Sequence, residues 1–165
     1  MPHYSGDDTG MRVGIGYDSH RFAAGRKLIL GGVEIAHPLG LAGHSDADAV
    51  AHALIDAMLG AAGLGDIGTM FPDSDPRWRG ADSVELLKQA YRAVAATGHK
   101  VVQADITVIA ERPKIGPHVP LMRERLAGAL AVPAEAISVK GKTNEGMGWI
   151  GRAEGIAVIA VAVLE

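Results

Sequence analysis

The chain contains no cysteine in its 165 residues. Disulfide bonds are therefore excluded, and a zinc site would have to use histidine and carboxylate ligands instead of thiolates. A cysteine-free composition also suits a reducing compartment.

Long apolar runs are missing as well. The richest apolar segment, Ile156 to Leu164, is much shorter than the ~20 residues that a membrane-spanning helix requires, and it predicts a buried strand. Residues 1–10 contain two aspartates and neither lysine nor arginine, which is the wrong charge for a targeting segment. We interpret them as a flexible N-terminal extension, and we expect a cytoplasmic protein with no membrane partner.

Concentrated positive charge is a third absence. Lysine and arginine number 16 against 19 aspartates and glutamates, and the net charge is −3. No basic stripe stands out, so we expect no nucleic acid partner. Glycine, by contrast, is abundant, with 22 residues. Many of these glycines lie in loops beside polar residues, which favours a close approach of the backbone to a ligand.

The rest of the sequence alternates strand and helix patterns without repeats or long linkers, and we predict a single domain over residues 11–165. Strands are predicted at 12–20, 27–30, 33–35, 101–110, 136–140 and 155–164, and helices at 45–62, 82–97 and 117–131. This order predicts an α/β (α+β) sandwich, with a mixed four- to five-stranded sheet and helices on one face.

The last predicted strand, residues 155–164, is apolar at almost every position. A strand that is apolar on both faces requires cover on both. A domain of this size covers a second sheet face poorly, so we predict that this face is buried between the subunits of an oligomer. A monomer with helices on both faces is the alternative.

A metal site is the first chemical hypothesis. Asp18 and His20 are two residues apart in a predicted strand and therefore point to the same side. His52 lies one helical turn from both Asp48 and Asp56, so a carboxylate could fix one of its ring nitrogens and leave the other for a metal. Together, Asp18, His20 and His52 would leave a fourth position open, as in catalytic zinc sites. Taken alone, each pattern has an alternative: a chance pairing on the surface for Asp18 and His20, and ordinary ion pairs on a helix surface for His52.

Several loops also carry chemistry. His44 comes just before the predicted helix, whose positive dipole end favours anions. Residues 66–68 and 71–75 form a loop rich in Gly, Pro and Asp, which is either a turn cluster or a ligand-binding loop. Residues 110–118 follow a strand, where ligands of α/β sheets tend to bind.

The glycine-rich loop 141–152 is the densest polar segment. Thr143 could donate to a phosphate group, and Glu145 could hold Mg²⁺, which prefers oxygen ligands. A solvated, flexible loop is the alternative. The apolar residues Met147, Trp149 and Ile150 lie among the polar ones and argue against that alternative.

Taken together and in this order, these segments resemble the 2-C-methyl-D-erythritol 2,4-cyclodiphosphate synthase family of the non-mevalonate isoprenoid pathway. The similarity runs from Arg12 to Leu164 and includes the motifs G-x-G-x-D-x-H, H-S-D-x-D, A-x-G-D-I-G, F-P-D-x-D and T-x-E-x-x-G. Any single motif would be weak, but the ordered set is specific.

The resemblance implies roles for individual residues. Asp18, His20 and His52 would bind zinc, His44 and Thr143 would position the reacting groups as catalytic residues, and Glu145 would bind Mg²⁺ or Mn²⁺. The residues it places against the substrate are Asp18, Ser19, His20, His44, Ser45, Asp66, Ile67, Gly68, Phe71, Pro72, Asp73, Ser74, Asp75, Ala110, Pro113, Lys114, Ile115, Gly116, Lys142, Thr143, Asn144, Glu145, Trp149 and Arg152. Residues 66–68 and 71–75 would hold the erythritol portion, 110–116 the cytidine and 142–145 the diphosphate.

The resemblance further implies a CMP-releasing cyclisation of 4-diphosphocytidyl-2-C-methyl-D-erythritol 2-phosphate in a homotrimer with intersubunit active sites. Trp149 and Arg152 would lie beside a central channel that could bind an isoprenoid diphosphate. Lys142 and Ala153 depart from the family pattern, which commonly has Thr and Gly there. A zinc phosphohydrolase and a non-catalytic isoprenoid diphosphate binder are the competing hypotheses.

Overall fold

A computed structural model of the chain describes residues 10–165. The strands are β1 (Arg12–Ala23), β2 (Leu28–Leu30), β3 (Val33–Ile35), β4 (Gly40–Leu41), β5 (Val101–Ile109), β6 (Ile137–Lys142) and β7 (Gly155–Leu164). The helices are α1 (Ala49–Ala62), α2 (Ile67–Met70), α3 (Ser83–Ala96), α4 (Val119–Leu130) and α5 (Gly148–Gly151). Short 3₁₀ turns occupy Pro76–Trp78, Gly116–His118 and Ala134–Ala136.

The main sheet has five strands in the order β4-β1-β7-β5-β6, and β2 and β3 form a separate hairpin. β5 and β6 run parallel, whereas β1 pairs antiparallel with β4 and β7, and β7 pairs antiparallel with β5. The prediction of a mixed α/β sheet is therefore confirmed. Because β5 and β6 are parallel, the loops that follow them leave the same edge of the sheet.

Helix α1 packs on one face of the sheet, across β1 and β7. Its contact with β1 is unusually close, since a β-carbon at Gly16 would lie 1.8 Å from the carbonyl oxygen of Ala53. A β-carbon at Gly14 would similarly lie 2.0 Å from the carbonyl oxygen of Ala57. Side chains two apart in a strand share a face, so this glycine side of β1 continues into Asp18 and His20. The sequence thus places both side chains against α1.

The opposite face of the sheet is apolar and exposed along β1 and β7. Val13, Ile15 and Tyr17 are 63%, 70% and 56% exposed. They pair across the sheet with Val163, Val161 and Ile159. This exposed apolar stripe on β1 and β7 agrees with the prediction that an oligomer covers this face. The homotrimer itself stays a prediction.

Several predicted boundaries were wrong. Helix α1 begins at Ala49 instead of Ser45, because Asp48 is its N-cap and accepts hydrogen bonds from the backbone N–H groups of Val50 and Ala51. Strand β6 runs on to Lys142, and the predicted loop 141–152 contains the helical turn α5. The two-residue strand β4 was not predicted, since it is too short to have a pattern.

The predicted N-terminal extension, residues 1–10, lies outside the described residues except for Gly10. Its flexibility and the domain boundary at residue 11 stay predictions. Within residues 10–165, no helix has the length and apolar character needed to cross a bilayer.

Candidate active site and metal centre

Three side chains converge where β1 meets the first turn of α1. Oδ2 of Asp18 lies 2.8 Å from Nε2 of His20 and 3.2 Å from Nδ1 of His52. The two histidine nitrogens are 3.3 Å apart. All three side chains are mostly shielded from solvent, and this is a group of residues that could hold a metal ion.

In each histidine, the ring nitrogen that points away from the proposed metal position has a hydrogen-bond partner. Nδ1 of His20 lies 2.6 Å from the carbonyl oxygen of Ala42, which can only accept, so this nitrogen carries a proton. Nε2 of His52 lies 2.8 Å from the hydroxyl of Ser83. In neutral His20 the lone pair is therefore on Nε2, and it faces Asp18.

The donor set fits a zinc ion. Nitrogen and oxygen ligands bind zinc at about 2.0–2.2 Å in a tetrahedron, which places neighbouring ligand atoms roughly 3.3 Å apart. The observed separations of 2.8–3.3 Å are close to that value. Two histidines and one carboxylate also leave one position of a tetrahedron open for a substrate oxygen.

In the absence of a metal, a proton has to separate these acceptors. Burial alone would raise the pKa of Asp18, but its hydrogen-bond and charge interactions with His20 and His52 outweigh burial and hold that pKa below its usual value. Burial likewise acts to lower the pKa of His20, but the Asp18 carboxylate raises it overall. A metal ion would therefore displace a proton from this cluster.

The sequence hypothesis that Asp48 or Asp56 orients His52 was wrong. Asp48 turns away as the N-cap of α1, and its carboxylate accepts from the N–H groups of Gly31 and Gly32 at 2.8 and 2.7 Å. Burial raises the pKa of Asp48 to about 6. Asp56 accepts from the N–H of Ile67 at 2.7 Å. Spacing along a helix could not show that one carboxylate caps the helix and the other holds a loop.

A cavity of about 340 Å³ opens beside the metal ligands. The predicted site residues in its lining are Asp18, His20, His44, Ser45, His52, Ile67, Gly68, Phe71, Pro72 and Asp73. Gly43, Trp78 and Leu86 also line it. Sequence reasoning missed Trp78 and Leu86, which belong to no motif. Trp78 packs edge-on against Phe71, with ring centroids 5.0 Å apart.

Three other predicted residues of this segment, Asp66, Ser74 and Asp75, do not line the cavity in the described part of the chain. Asp66 caps α2 by accepting from the N–H and the hydroxyl of Thr69. Asp75 caps a 3₁₀ turn and forms an ion pair with Arg77. Both carboxylates therefore shape the loop within this chain.

The loop that carries His44 is held at three successive carbonyls. Arg26 donates to the carbonyl oxygens of Gly43 and Ser45 at 3.0 and 2.6 Å. The backbone N–H of Gly80 donates to the carbonyl oxygen of His44 at 2.8 Å. Nε2 of His44 is buried and has no hydrogen-bond partner among residues 10–165. This nitrogen is available to a ligand. Sequence reasoning missed Arg26, since no local pattern links it to a loop 17 residues away.

The predicted cytidine and diphosphate segments follow β5 and β6. The N–H of Ala110 donates to the carbonyl oxygen of Lys142 at 2.9 Å. One carboxylate oxygen of Glu111 accepts from the N–H groups of Asn144 and Gly146 at 2.8 and 3.1 Å. These contacts join the two segments into one unit. Glu111 lies within the predicted cytidine segment, but its role in joining the segments was not predicted.

Individual residues of this unit lie at its surface. Thr143 and Glu145 are exposed, and the hydroxyl of Thr143 accepts from the N–H of Glu145 at 3.3 Å. Ile115 is buried against Gly141, while Lys114 and Gly116 are exposed and Pro113 is half-buried.

This second unit does not reach the metal cavity within one chain. None of the residues 110–116 or 142–145 lines that cavity in the described structure. Cross-strand pairing places Ser19, Ala157, Ile109 and Lys142 in one row. At about 4.8 Å per strand, Ser19 and Lys142 are roughly 14 Å apart. The predicted site is therefore in two parts along one edge of the sheet.

Trp149 lies beside a second cavity of about 680 Å³, larger than the one beside the metal ligands. Ser19, His20, Arg21 and Glu154 are among the other residues that line it. Arg152 forms an ion pair with Glu154, with Nε and Oε1 2.7 Å apart. Within one chain, Ser19 and Trp149 therefore share a second cavity, and His20 lines both this cavity and the one beside His52.

Comparison with known proteins agrees with this geometry. The chain matches the YgbB family over residues 11–165. It is 58% identical over 154 residues to the 2-C-methyl-D-erythritol 2,4-cyclodiphosphate synthase of Symbiobacterium thermophilum, an alignment that covers 93% of this chain and 98% of that protein. The synthase of Neisseria gonorrhoeae is 54% identical over 156 residues, covering 94% and 98% of the two chains.

Solved structures of cyclodiphosphate synthases have the same fold as this chain. A 2C-methyl-D-erythritol-2,4-cyclodiphosphate synthase in a CDP-bound form has a TM-score of 0.86 at 44% identity, over 93% of this chain and 100% of that chain. The bifunctional IspDF of Campylobacter jejuni has a TM-score of 0.91 at 44% identity, covering 94% of this chain but only 42% of that longer one. This chain therefore belongs to the YgbB family, the family of the 2-C-methyl-D-erythritol 2,4-cyclodiphosphate synthases.

Proposed function

We propose that the protein is a metal-dependent 2-C-methyl-D-erythritol 2,4-cyclodiphosphate synthase, a lyase of cytoplasmic isoprenoid precursor synthesis. Its substrate is 4-diphosphocytidyl-2-C-methyl-D-erythritol 2-phosphate. An oxygen of the 2-phosphate bonds to the β-phosphorus, and the bond from that phosphorus to the oxygen shared with the α-phosphate breaks. CMP leaves with the electron pair of that bond, and the cyclic diphosphate remains.

The attacking group of this substrate needs no activation by a base. A phosphate monoester carries about −1.5 to −2 charges at pH 7, so its oxygen is already a nucleophile. The protein therefore contributes mainly by positioning the two phosphorus centres and by offsetting negative charge. The net charge of the chain is −3, so positive groups at the site itself have to supply that charge.

The observation that carries the proposal is the convergence of Asp18, His20 and His52 on one point beside a cavity. These residues would hold zinc. Bound there, the ion would supply Lewis-acid polarisation of a phosphoryl oxygen. Burial of the three side chains keeps this point out of bulk water, which strengthens electrostatic interactions.

His44 and Thr143 are the proposed positioning residues for the phosphates. His44 lines the metal cavity, and its buried Nε2 has no hydrogen-bond partner among residues 10–165, which supports a contact with an anionic oxygen of the substrate. The erythritol portion would occupy the part of the cavity formed by Ile67, Gly68 and Phe71. Trp78 and Leu86 extend this apolar wall and suit the methyl group of the substrate.

The nucleotide half of the substrate would bind the unit formed by residues 110–116 and 142–145. Two of the similar solved structures are CDP complexes, which supports a cytidine site in this family. Glu145 is the proposed ligand of Mg²⁺ or Mn²⁺, because its exposed carboxylate has no ion-pair partner among residues 10–165. Lys142 replaces a usual hydroxyl with a charge that can favour phosphate.

We further propose that the two parts of the site come together between subunits of a homotrimer. The exposed apolar stripe of β1 and β7 supports burial of this face, since large exposed apolar patches commonly mark interfaces. The cavity beside Trp149 and the Arg152–Glu154 pair would then adjoin the trimer axis and could accept an isoprenoid diphosphate.

Product analysis tests the proposed reaction. The purified protein is incubated with the cytidyl substrate, Zn²⁺ and Mg²⁺, and the products are identified by phosphorus NMR. We expect the cyclic diphosphate and CMP in equal amounts. A linear phosphate product would instead indicate a phosphohydrolase that uses the same ligands.

A metal analysis tests the ligand assignment separately. We expect wild-type protein to retain one zinc ion per chain, and His52→Ala to lose both the zinc and the activity while its circular dichroism spectrum is unchanged. A full zinc complement in His52→Ala would contradict the assignment.

A further inference from the structure

The outer ring nitrogen of His52 lies in a buried polar cluster that the proposed reaction does not use. Nε2 is 2.8 Å from the hydroxyl oxygen of Ser83 and 3.2 Å from that of Ser45. His52 is 9% exposed and Ser83 is fully buried. A hydroxyl can donate or accept, and so can a neutral imidazole nitrogen. The direction of this contact therefore depends on the other partners of Ser83.

Asp46 decides that direction. One carboxylate oxygen of Asp46 accepts the hydroxyl proton of Ser83 in a short hydrogen bond, and the other accepts from the backbone N–H of Ser83 at 3.0 Å. An ionised carboxylate is only an acceptor, and such charge-assisted bonds are about twice as strong as neutral ones. The single proton of the Ser83 hydroxyl is thus engaged, and its oxygen offers His52 only a lone pair.

Asp46 is itself fixed by the backbone on both sides. Its N–H donates to the carbonyl oxygen of Ala81 at 3.1 Å, and its carboxylate accepts from the N–H of Asp48 at 3.1 Å. The first bond anchors the backbone of Asp46, and the second is lost if its carboxylate turns away from Ser83. The contact chain runs from the loop before α1, through the first residue of α3, to His52.

We propose that Ser83 and Asp46 are positioning residues that hold His52 in the tautomer with its proton on Nε2. The lone pair of a neutral ring is then on Nδ1, the nitrogen that faces Asp18 and His20. This inference rests on the metal centre proposed above. For His20 the same task falls to the carbonyl of Ala42, which no side-chain substitution removes. At His52 it depends on two side chains that can be changed.

A purely structural role for Ser83 is the alternative, because it is the first residue of α3. Asp82 offers a matched control. It is the N-cap of the same helix and accepts from the N–H of Val84 at 2.8 Å, but it has no contact with His52. Asp82→Ala should therefore weaken the start of α3 without altering the tautomer of His52.

The tautomer can be measured directly in metal-free protein labelled with ¹⁵N-histidine, at a pH where Nε2 of His20 still carries the proton shared with Asp18 and the ring of His52 is neutral. Long-range ¹H–¹⁵N NMR spectra distinguish the two neutral forms. We expect wild-type His52 and the Asp82→Ala variant to show the Nε2–H form. Ser83→Ala and Asp46→Ala should each give a mixture with the Nδ1–H form.

Zinc affinity, measured by competition with a chromophoric chelator, provides the second readout. Loss of a group that orients a metal-binding histidine typically costs 10–100-fold in affinity. We expect a loss in that range for Ser83→Ala and Asp46→Ala, and a change within about twofold for Asp82→Ala.

An Nδ1–H form of His52 in the wild-type protein would overturn the inference. So would Ser83→Ala protein with wild-type tautomer and zinc affinity. If Ser83→Ala does not fold, Asp46→Ala and the wild-type spectrum still decide. These measurements need no substrate, so their failure is distinct from a failure of the product analysis.

Discussion

The approach of α1 to Gly16 leads to a quantitative prediction. A β-carbon at Gly16 would lie 1.8 Å from the carbonyl oxygen of Ala53 and 2.8 Å from the backbone nitrogen of Ala57. Real β-carbons are essentially never found within 3.0 Å of an atom from a distant part of the chain. Gly16→Ala therefore requires a displacement of about 1.2 Å between β1 and α1. The obstructing atoms belong to the helix backbone, so no side-chain rotation can relieve the contact.

That displacement acts directly on the metal ligands. Asp18 is two residues beyond Gly16 on β1, and His52 precedes Ala53 on α1. Metal-to-ligand distances tolerate about 0.2 Å, so a shift of about 1.2 Å should abolish tight zinc binding. Overpacking a core costs typically 1–3 kcal/mol and occasionally more. We expect about 3 kcal/mol here, because backbone has to move.

Urea unfolding at a fixed protein concentration and zinc competition provide the assays. The control is Gly60→Ala in the same helix, where an added β-carbon meets no atom within 4 Å. Replacing a helical glycine by alanine stabilises by about 0.5–1 kcal/mol, so the two substitutions should shift the unfolding midpoint in opposite directions. Unchanged stability and zinc affinity in Gly16→Ala would refute the idea that this contact positions the ligands.

Three further predictions concern single positions. Ala153 has a left-handed φ of 56°, so Ala153→Gly should stabilise the protein by about 0.5–1 kcal/mol in urea unfolding; a lower midpoint would contradict this. In chelated protein, Asp18 with its lowered pKa stabilises the fold above about pH 4, and His20 with its raised pKa stabilises it below about pH 6.5. The stability difference between wild type and Asp18→Asn should therefore be largest between these pH values, and a flat difference from pH 3 to 9 would count against the pair. Glu145→Gln should retain zinc but lower kcat roughly tenfold or more at limiting Mg²⁺, whereas identical Mg²⁺ titrations would exclude its role as a ligand.

The fold was largely predictable because its signals are local. Alternation in β1, the glycine turn between β2 and β3, and the Asp82 cap of α3 each act within a few residues of chain. The structure also brings Asp18, His20 and His52 together as the sequence hypothesis required. Two of them share a strand face, and the helix is the next long element. Their role as zinc ligands stays a proposal.

The supporting contacts could not be predicted in the same way. Ser83 is 31 residues from His52, Arg26 is 17 from Gly43, and Glu111 is 33 from Asn144. Each is a common polar residue with no pattern of its own, and its partner is set by how the elements pack. For Asp48 the sequence led to a false prediction instead of a missed one. Its spacing from His52 suggested a contact, but its carboxylate caps the helix and does not reach His52.

The alternation of Gly14 and Gly16 against the backbone of α1 has a consequence for how this pocket can diversify. The strand and the helix that carry the metal ligands beside it touch through their main chains, so neither can shift without disturbing the other. New ligand preferences, whether they arise in evolution or from inhibitor design, should therefore be sought in the side walls. Phe71, Trp78 and Leu86 are lining side chains that take no part in that strand–helix contact.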